Sequence, residues 1–210
     1  MDKLFKGVLD FKRQDFEDHK DLFKDLGREQ KPHTLFIGCS DSRVVPTLIT
    51  RTLPGELFMV RNVANIVPPL GLSDQFVDTV STIEYAVEVL DVDTIIVCGH
   101  SNCGGCFALH ADPQDLAAMP NLQRWLAINK DLPLKVQELM VEGSAAEREW
   151  LTEKLNVLQQ MRNLLTYPFI RKQVRDGTLQ ILGWYYIIET GEVFNFNDET
   201  GHFELVAEIE

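Results

Sequence analysis

Short continuous apolar runs alternate along this chain with longer stretches in which apolar residues recur at helical spacing. Thr34-Leu35-Phe36-Ile37-Gly38 reads as a buried strand. Leu57 to Asn62 is a second, introduced by the Pro54-Gly55 turn, and Asp93 to Gly99 is a third. Between the last two, Phe76, Val80, Ile83, Val87 and Leu90 fall on one helical face, with Ser73 placed to cap a helix reaching about Leu90. Residues 2–26 also read as helical. Leu4, Phe5, Val8, Leu9, Phe16, Leu22, Phe23 and Leu26 are apolar there, and Gly27 stands as a C-terminal stop.

In the second half, Ser144-Ala145-Ala146-Glu147 is a capping box opening a helix that carries Trp150, Leu151, Leu155, Leu158 and Leu165. Tyr167-Pro168 interrupts it, and a further short helix stops at Gly177. Leu179 to Ile188 is a long strand, which Thr190-Gly191 turns into Glu192 to Phe196 as a hairpin. Strands alternating with helices predict an α/β fold: a mainly parallel central sheet with an antiparallel edge strand, flanked by helices. Residues 1–28 form an N-terminal helical arm in this reading, and 29–210 a single α/β domain. Phe5, Phe11, Phe16 and Phe23 are many phenylalanines for a helix preceding the first strand. They suit packing on the arm's own domain or on a second subunit.

The 210 residues are 45% hydrophobic, enough for a substantial core. The formal net charge of −12, with no basic run longer than Arg171-Lys172, excludes nucleic acid as a partner. No stretch approaches the roughly 18–20 apolar residues that span a bilayer. Charges interrupt Met1-Asp2-Lys3-Leu4-Phe5-Lys6, where a secretory signal needs an apolar stretch. The four cysteines are Cys39, Cys98, Cys103 and Cys106. Their clustering suits metal binding in a reducing compartment, so a cytoplasmic location is expected.

Two polar motifs follow the apolar runs: Cys39-Ser40-Asp41-Ser42-Arg43 and His100-Ser101-Asn102-Cys103-Gly104-Gly105. Functional groups in open parallel sheets gather beyond the carboxyl ends of the strands, where both motifs fall. Two thiolates and an imidazole are what zinc takes in a catalytic site, with the fourth position open to water. His100 and Cys103, three apart at a helix start, can face one point, and the helix N-terminus favours a thiolate at Cys103. Gly104 and Gly105 let backbone approach closely. Asp41 and Arg43 are either a surface ion pair of little worth or a carboxylate held ionised and oriented beside the metal. Cys103-x-x-Cys106 is also open to reading as a redox pair, or as half of a four-cysteine zinc site whose other half the chain lacks. Cys98, in mid-strand, reads as core.

In combination, Cys39 to Arg43, Pro54 to Asn65 and Gly99 to Gly105 resemble the β-class carbonic anhydrases of bacterial type. With Gln30 and Gly183-Trp184-Tyr185-Tyr186 the likeness covers roughly residues 30–190. The resemblance implies one zinc per chain on Cys39, His100 and Cys103, with Asp41–Arg43 as an orienting dyad. It implies reversible hydration of CO2 to bicarbonate and a proton, by attack of zinc-bound hydroxide. The implied CO2 pocket uses Gln30, Val63 and Gly104, together with Phe58 and Tyr85 of the partner subunit. The implied assembly is a homodimer or dimer of dimers whose N-terminal helices embrace the neighbour. Some members also hold an inhibitory bicarbonate through a Trp-x-Gly before the first zinc cysteine and a Tyr on the late strand, and the dyad aspartate then swings onto zinc. Here Gly38 and Tyr186 match, but Phe36 replaces the Trp. Asp41 is therefore expected to stay with Arg43. Two rivals remain: a zinc hydrolase or lyase of the same fold acting on CS2 or COS, and a non-enzymatic zinc-stabilised sensor. The Asp41–Arg43 pair argues against the second.

Overall fold

The computed structural model describes residues 2–112 and 114–207, and a six-stranded sheet organises them. The strands are β1 (Thr34–Cys39), β2 (Leu57–Asn62), β3 (Thr94–His100), β4 (Gln180–Tyr186), β5 (Val193–Asn197) and β6 (His202–Leu205). They lie in the order β2-β1-β3-β4-β5-β6. The first four are parallel, β5 runs antiparallel to β4, and β6 antiparallel to β5. The chain steps outward from β1 to β2 and returns on the other side of β1 as β3. Strand order therefore reverses between β1 and β3, and a crevice opens beyond their carboxyl ends at such a point.

Every residue of β1 and β3 is buried. Period-two alternation sends Leu35, Ile37, Ile95 and Val97 to one face, where Val80 and Ile83 of α5 (Val77–Glu84) and Val157 and Leu164 of α9 (Ala145–Leu164) pack on them. The opposite face gathers Phe36, Ile96 and Cys98 against Leu57, Leu182, Trp184 and Tyr186, all from strands. Cys98 is core, as its mid-strand position predicts. Beyond the N-terminal stretch, the other α-helices among the described residues are α4 (Pro46–Thr50), α6 (Gly104–Ala108), α7 (Pro120–Leu126), α8 (Leu132–Leu139) and α10 (Pro168–Arg175). No helix among the described residues is long and apolar enough to cross a membrane.

The N-terminal stretch is not one helix. It breaks into α1 (Asp2–Arg13), α2 (Asp15–Asp18) and α3 (Lys20–Leu26), with non-helical backbone at Gln14 (φ −118°, ψ −81°) and His19 (φ −115°, ψ 24°). On a continuous helix Phe11 and Phe16 would point about 140° apart. The breaks instead bring Phe11 and Phe16 each to Phe23, with ring centroids 5.9 and 5.2 Å away. Gly27 keeps a right-handed φ of −64°, so its left-handed freedom is not what ends α3.

The Ser73–Leu90 helix also starts later than expected. Leu70–Gln75 is a 3-10 turn in which the Ser73 hydroxyl donates to the Leu70 carbonyl, and the α-helix begins at Val77. Residues Tyr85–Val89 then widen into a π turn. Strand ends shift by one or two residues, as helix and strand boundaries commonly do. The short, largely exposed β6 lies outside the sequence expectation.

Helix α9 keeps its capping box: the Glu147 N–H donates to Ser144 Oγ (3.2 Å), and the Ser144 N–H donates to Glu147 Oε2 (2.8 Å). Its buried face, however, is largely polar: Thr152, Glu153, Asn156, Gln160 and Asn163, with Val157 and Leu164. Trp150 and Leu165 are exposed. The cause is the segment after β2, whose buried backbone groups have no strand to pair with. Asn156 Nδ2 donates to the Ala64 carbonyl (2.9 Å), the Val67 N–H to Gln160 Oε1 (2.9 Å), and Asn163 Nδ2 to the Val67 carbonyl (2.7 Å). Tyr167 completes the series with its hydroxyl on the Pro68 carbonyl (2.6 Å). Buried peptide groups must be paired, and amide side chains of a neighbouring helix do it here.

Candidate metal centre

Pairing of Gly38 with Cys98 sets the ends of β1 and β3 nearly level, so Cys39 and His100 emerge together. Beyond His100 the chain turns through Ser101 and Asn102, the latter left-handed at φ 54°. Cys103, extended at φ −78° and ψ 109°, then caps the five-residue α6. A tight turn therefore brings His100 and Cys103 to one point, where the sequence suggested adjacent positions on a helix. The Cys39 and Cys103 Sγ atoms are 4.0 Å apart, and the three candidate ligand atoms lie within 4.8 Å of one another. All three residues are buried, to 5%, 0% and 1% exposure in chain order.

His100 Nδ1 lies 2.9 Å from the Ser101 carbonyl oxygen, which can only accept, so this nitrogen carries the proton. Nε2 is then a bare lone pair, buried and without a hydrogen-bond partner. An orphaned imidazole nitrogen beside two thiols fits a metal. Two Zn–S bonds of about 2.3 Å at a tetrahedral angle set sulfurs about 3.8 Å apart, close to the observed separation. The thiols themselves need a cation to ionise. Cys39 is pushed up to about 12, first by its contact with the Cys103 thiol and then by burial. Cys103 is also pushed up to about 12, led by the neighbouring Cys106 thiol. All four cysteines are free thiols.

Asp41 follows on the loop after β1. Arg43 grips it with both ends of its fork, Nε to Oδ1 (2.9 Å) and Nη2 to Oδ2 (2.7 Å), while the Arg43 N–H adds a third bond to Oδ1 (2.9 Å). The same Nη2 reaches the Asn102 carbonyl at 2.9 Å, tying the loop to the second motif. These bonds hold the Asp41 carboxyl well below the ordinary range, against an opposing effect of burial. Its Oδ2 stands 4.0 Å from His100 Nε2.

The candidate pocket residues divide. Val63 is partly exposed and takes the Trp125 indole N–H on its carbonyl (2.8 Å). Beside it opens a groove lined by Ser40, Asn62, Val63, Phe76, Leu122 and Trp125. Of the two glycines after Cys103, Gly105 is the one close packing requires: a Cβ there would meet Ala64 Cβ at 2.8 Å and Val63 Cγ1 at 2.9 Å. Gly104 has open space around it. Gln30 is exposed on the link between α3 and β1. Phe58 and Tyr85 meet each other at a centroid distance of 5.9 Å, and Tyr85 is 44% exposed. Phe58 pairs with Leu35, four residues before Cys39. At about 3.3 Å per residue it lies roughly 13 Å down the sheet from the thiols of its own chain.

Two residues at the centre escaped sequence reasoning. Arg61 donates from Nε to the Cys39 carbonyl (3.1 Å) and from Nη2 to the Asp41 carbonyl (2.7 Å). Buried Glu153 accepts the Cys103 N–H at 2.8 Å. A signal for the second was present: Glu153, Asn156, Gln160 and Asn163 recur at intervals of three and four, a polar stripe where a core stripe is usual.

A carbonic anhydrase family model matches residues 34–193. A Helicobacter pylori carbonic anhydrase is 42% identical over 207 residues, covering 97% of this chain and 94% of its own. Among solved structures, the β-carbonic anhydrase CcaA superposes with a TM-score of 0.94 at 35% identity, covering 99% of this chain and 92% of its own. A tetrameric β-carbonic anhydrase from Sordaria macrospora gives 0.83 at 31% identity, covering 93% and 95%. With the fold, the motifs and the matched length in agreement, this chain belongs to the β-class carbonic anhydrases.

Proposed function

We propose that the chain binds one zinc ion through Cys39, His100 and Cys103 and catalyses the reversible hydration of CO2 to bicarbonate and a proton. The observation that carries this reading is the unpartnered His100 Nε2, buried beside two facing thiols and 4.0 Å from an Asp41 carboxylate held by Arg43. When bound, zinc supplies a Lewis acid that makes a strong nucleophile from water near neutral pH. Asp41, kept ionised by Arg43, accepts a hydrogen bond from the attacking oxygen and turns its lone pair towards CO2. Ser101 fixes the imidazole tautomer of His100. Val63 and the groove beside it offer an apolar wall to a substrate without charge.

The pocket is completed by a second subunit in this reading. Phe58 sits too far down the sheet to reach the thiols of its own chain, and Tyr85, packed against Phe58 from the turn after α5, is exposed. Leu4, Phe5, Val8 and Leu9 of α1 are also exposed, at 51% or more, as an arm seated on a neighbour requires. The working unit is a homodimer or a dimer of dimers, in line with the tetrameric description of the Sordaria relative. Gln30, which precedes β1 at the end of the sheet away from Cys39, is offered to the pocket of the neighbouring subunit as Phe58 is, while Gly104 lines the pocket of its own chain; the free thiols suit a cytoplasmic location.

Metal analysis of the Cys variants tests the ligand set. Cys39→Ser and Cys103→Ser should lose zinc and activity, while Cys106→Ser keeps one zinc per chain. Loss of zinc in Cys106→Ser would place the metal on the C-x-x-C pair instead.

A further inference from the structure

Glu153 is 1% exposed, deep between α9 and the sheet, and no ion pair among the described residues includes it. A buried carboxylate is costly unless donors hold it. Two do. Oε1 accepts the Cys103 N–H at 2.8 Å, and Oε2 accepts the hydroxyl of equally buried Tyr185 at 2.6 Å. The Lys154 ammonium lies over the Tyr185 ring, 5.4 Å from its centroid. Gly99 makes the approach possible, since a Cβ there would meet Val157 Cγ2 at 2.6 Å. Without one, α9 presses against the end of β3, and its carboxylate reaches the turn that carries Cys103.

Each of the three candidate ligands has its own restraint. Arg61 holds the Cys39 carbonyl, and the Ser101 carbonyl orients the His100 ring. Cys103 stands at the head of a helix only five residues long, and its N–H is held by Glu153. We propose that Glu153 is a positioning residue for the metal: anchored by Tyr185, it fixes the turn from which the Cys103 sulfur faces Cys39 and His100. The inference rests on zinc binding at these three residues. Partners of metal ligands commonly influence affinity by ten- to hundredfold.

The test measures zinc affinity by competition with a chelator of known strength, the thiolate-to-cobalt charge-transfer band of the cobalt-substituted protein, and the melting temperature of the metal-free protein. Glu153→Leu should weaken zinc binding about ten- to hundredfold and shift the cobalt band. Glu153→Gln keeps an acceptor for the Cys103 N–H and should recover most of that loss. Tyr185→Phe leaves Oε2 unanchored and should weaken binding several-fold. A Glu153→Leu protein that melts lower but binds zinc as the native protein does, with an unshifted cobalt band, overturns the proposal. If Glu153→Leu does not fold, native affinity and a native band in Tyr185→Phe overturn it. Native protein that binds no zinc overturns the metal-centre reading itself; native binding with unaffected variants overturns this inference alone.

Discussion

The Sγ atoms of Cys39 and Cys103, separated by 64 positions in sequence, face each other at 4.0 Å. Sheet order creates this meeting. Because β3 returns beside β1 after the excursion to β2, two strand ends that are distant in sequence become neighbours. The first ends on Cys39, and the second runs through His100 into the turn that carries Cys103. The candidate ligand set thus belongs to the switch point of the sheet rather than to any one motif.

Asp41→Ala should reduce CO2-hydration turnover by about 10²-fold or more while zinc content stays at the native level. The change removes the acceptor that orients the attacking oxygen and leaves the three candidate ligands in place. Turnover near the native value in stopped-flow measurements would remove Asp41 from the mechanism.

Bicarbonate should not inhibit cooperatively. The Phe36 ring is buried edge-on to Trp184, with centroids 6.3 Å apart, and lies over Gly38, where a Cβ would meet its Cε1 at 3.0 Å. A phenylalanine has no N–H for an anion, a loss of roughly 1.5–3 kcal/mol for a charged partner. That is about ten- to hundredfold in affinity. Asp41 is paired with Arg43. Sigmoidal inhibition curves with bicarbonate would contradict this.

Removing residues 1–26 should weaken assembly and activity together. Sedimentation velocity should show a shift to smaller species, with CO2 hydration falling in step as the pocket loses Phe58 and Tyr85 of the partner subunit. A truncated monomer with native turnover would show that each pocket is complete within one chain.

Ser144→Ala should cost about 1 kcal/mol of stability by removing the cap of α9. The Ser144 N–H and hydroxyl hold the Glu147 carboxyl below its ordinary value of 4.5. A depressed folded-state value means that the contribution of Glu147 is present above the unfolded value and is lost as pH falls through the folded one. The gap between native and Ser144→Ala melting curves should therefore be widest at pH 7 and narrow as pH falls below 4.5, without closing, because the Glu147 N–H to Ser144 Oγ bond does not titrate. A gap that persists unchanged into acid would detach Glu147 from the cap.

Much of this architecture was legible in the chain. The runs at Thr34–Cys39 and Thr94–His100 are short, nearly continuous in apolar residues and buried throughout, as strands at the middle of a sheet are, and they end on Cys39 and His100, with Cys103 three residues further on. The arm and α9 are less legible. Backbone breaks at Gln14 and His19 divide the arm without a Gly or Pro to signal them. In α9, apolar spacing does not mark the buried face, because the segment after β2 needs the donors and acceptors of its amides. The polar stripe marks Glu153 as facing inward but does not name the turn 50 residues away that it serves, and nothing local to Arg61 reports the neighbouring strand end it holds.

The most direct test of zinc-dependent CO2 hydration is stopped-flow CO2 hydration by one preparation measured as purified, after chelator treatment, and after return of one equivalent of zinc. The predicted result is rapid hydration, its loss with the metal, and its recovery at one zinc per chain. Hydration that survives complete zinc removal, or is absent from protein carrying its full zinc, would contradict the proposed function.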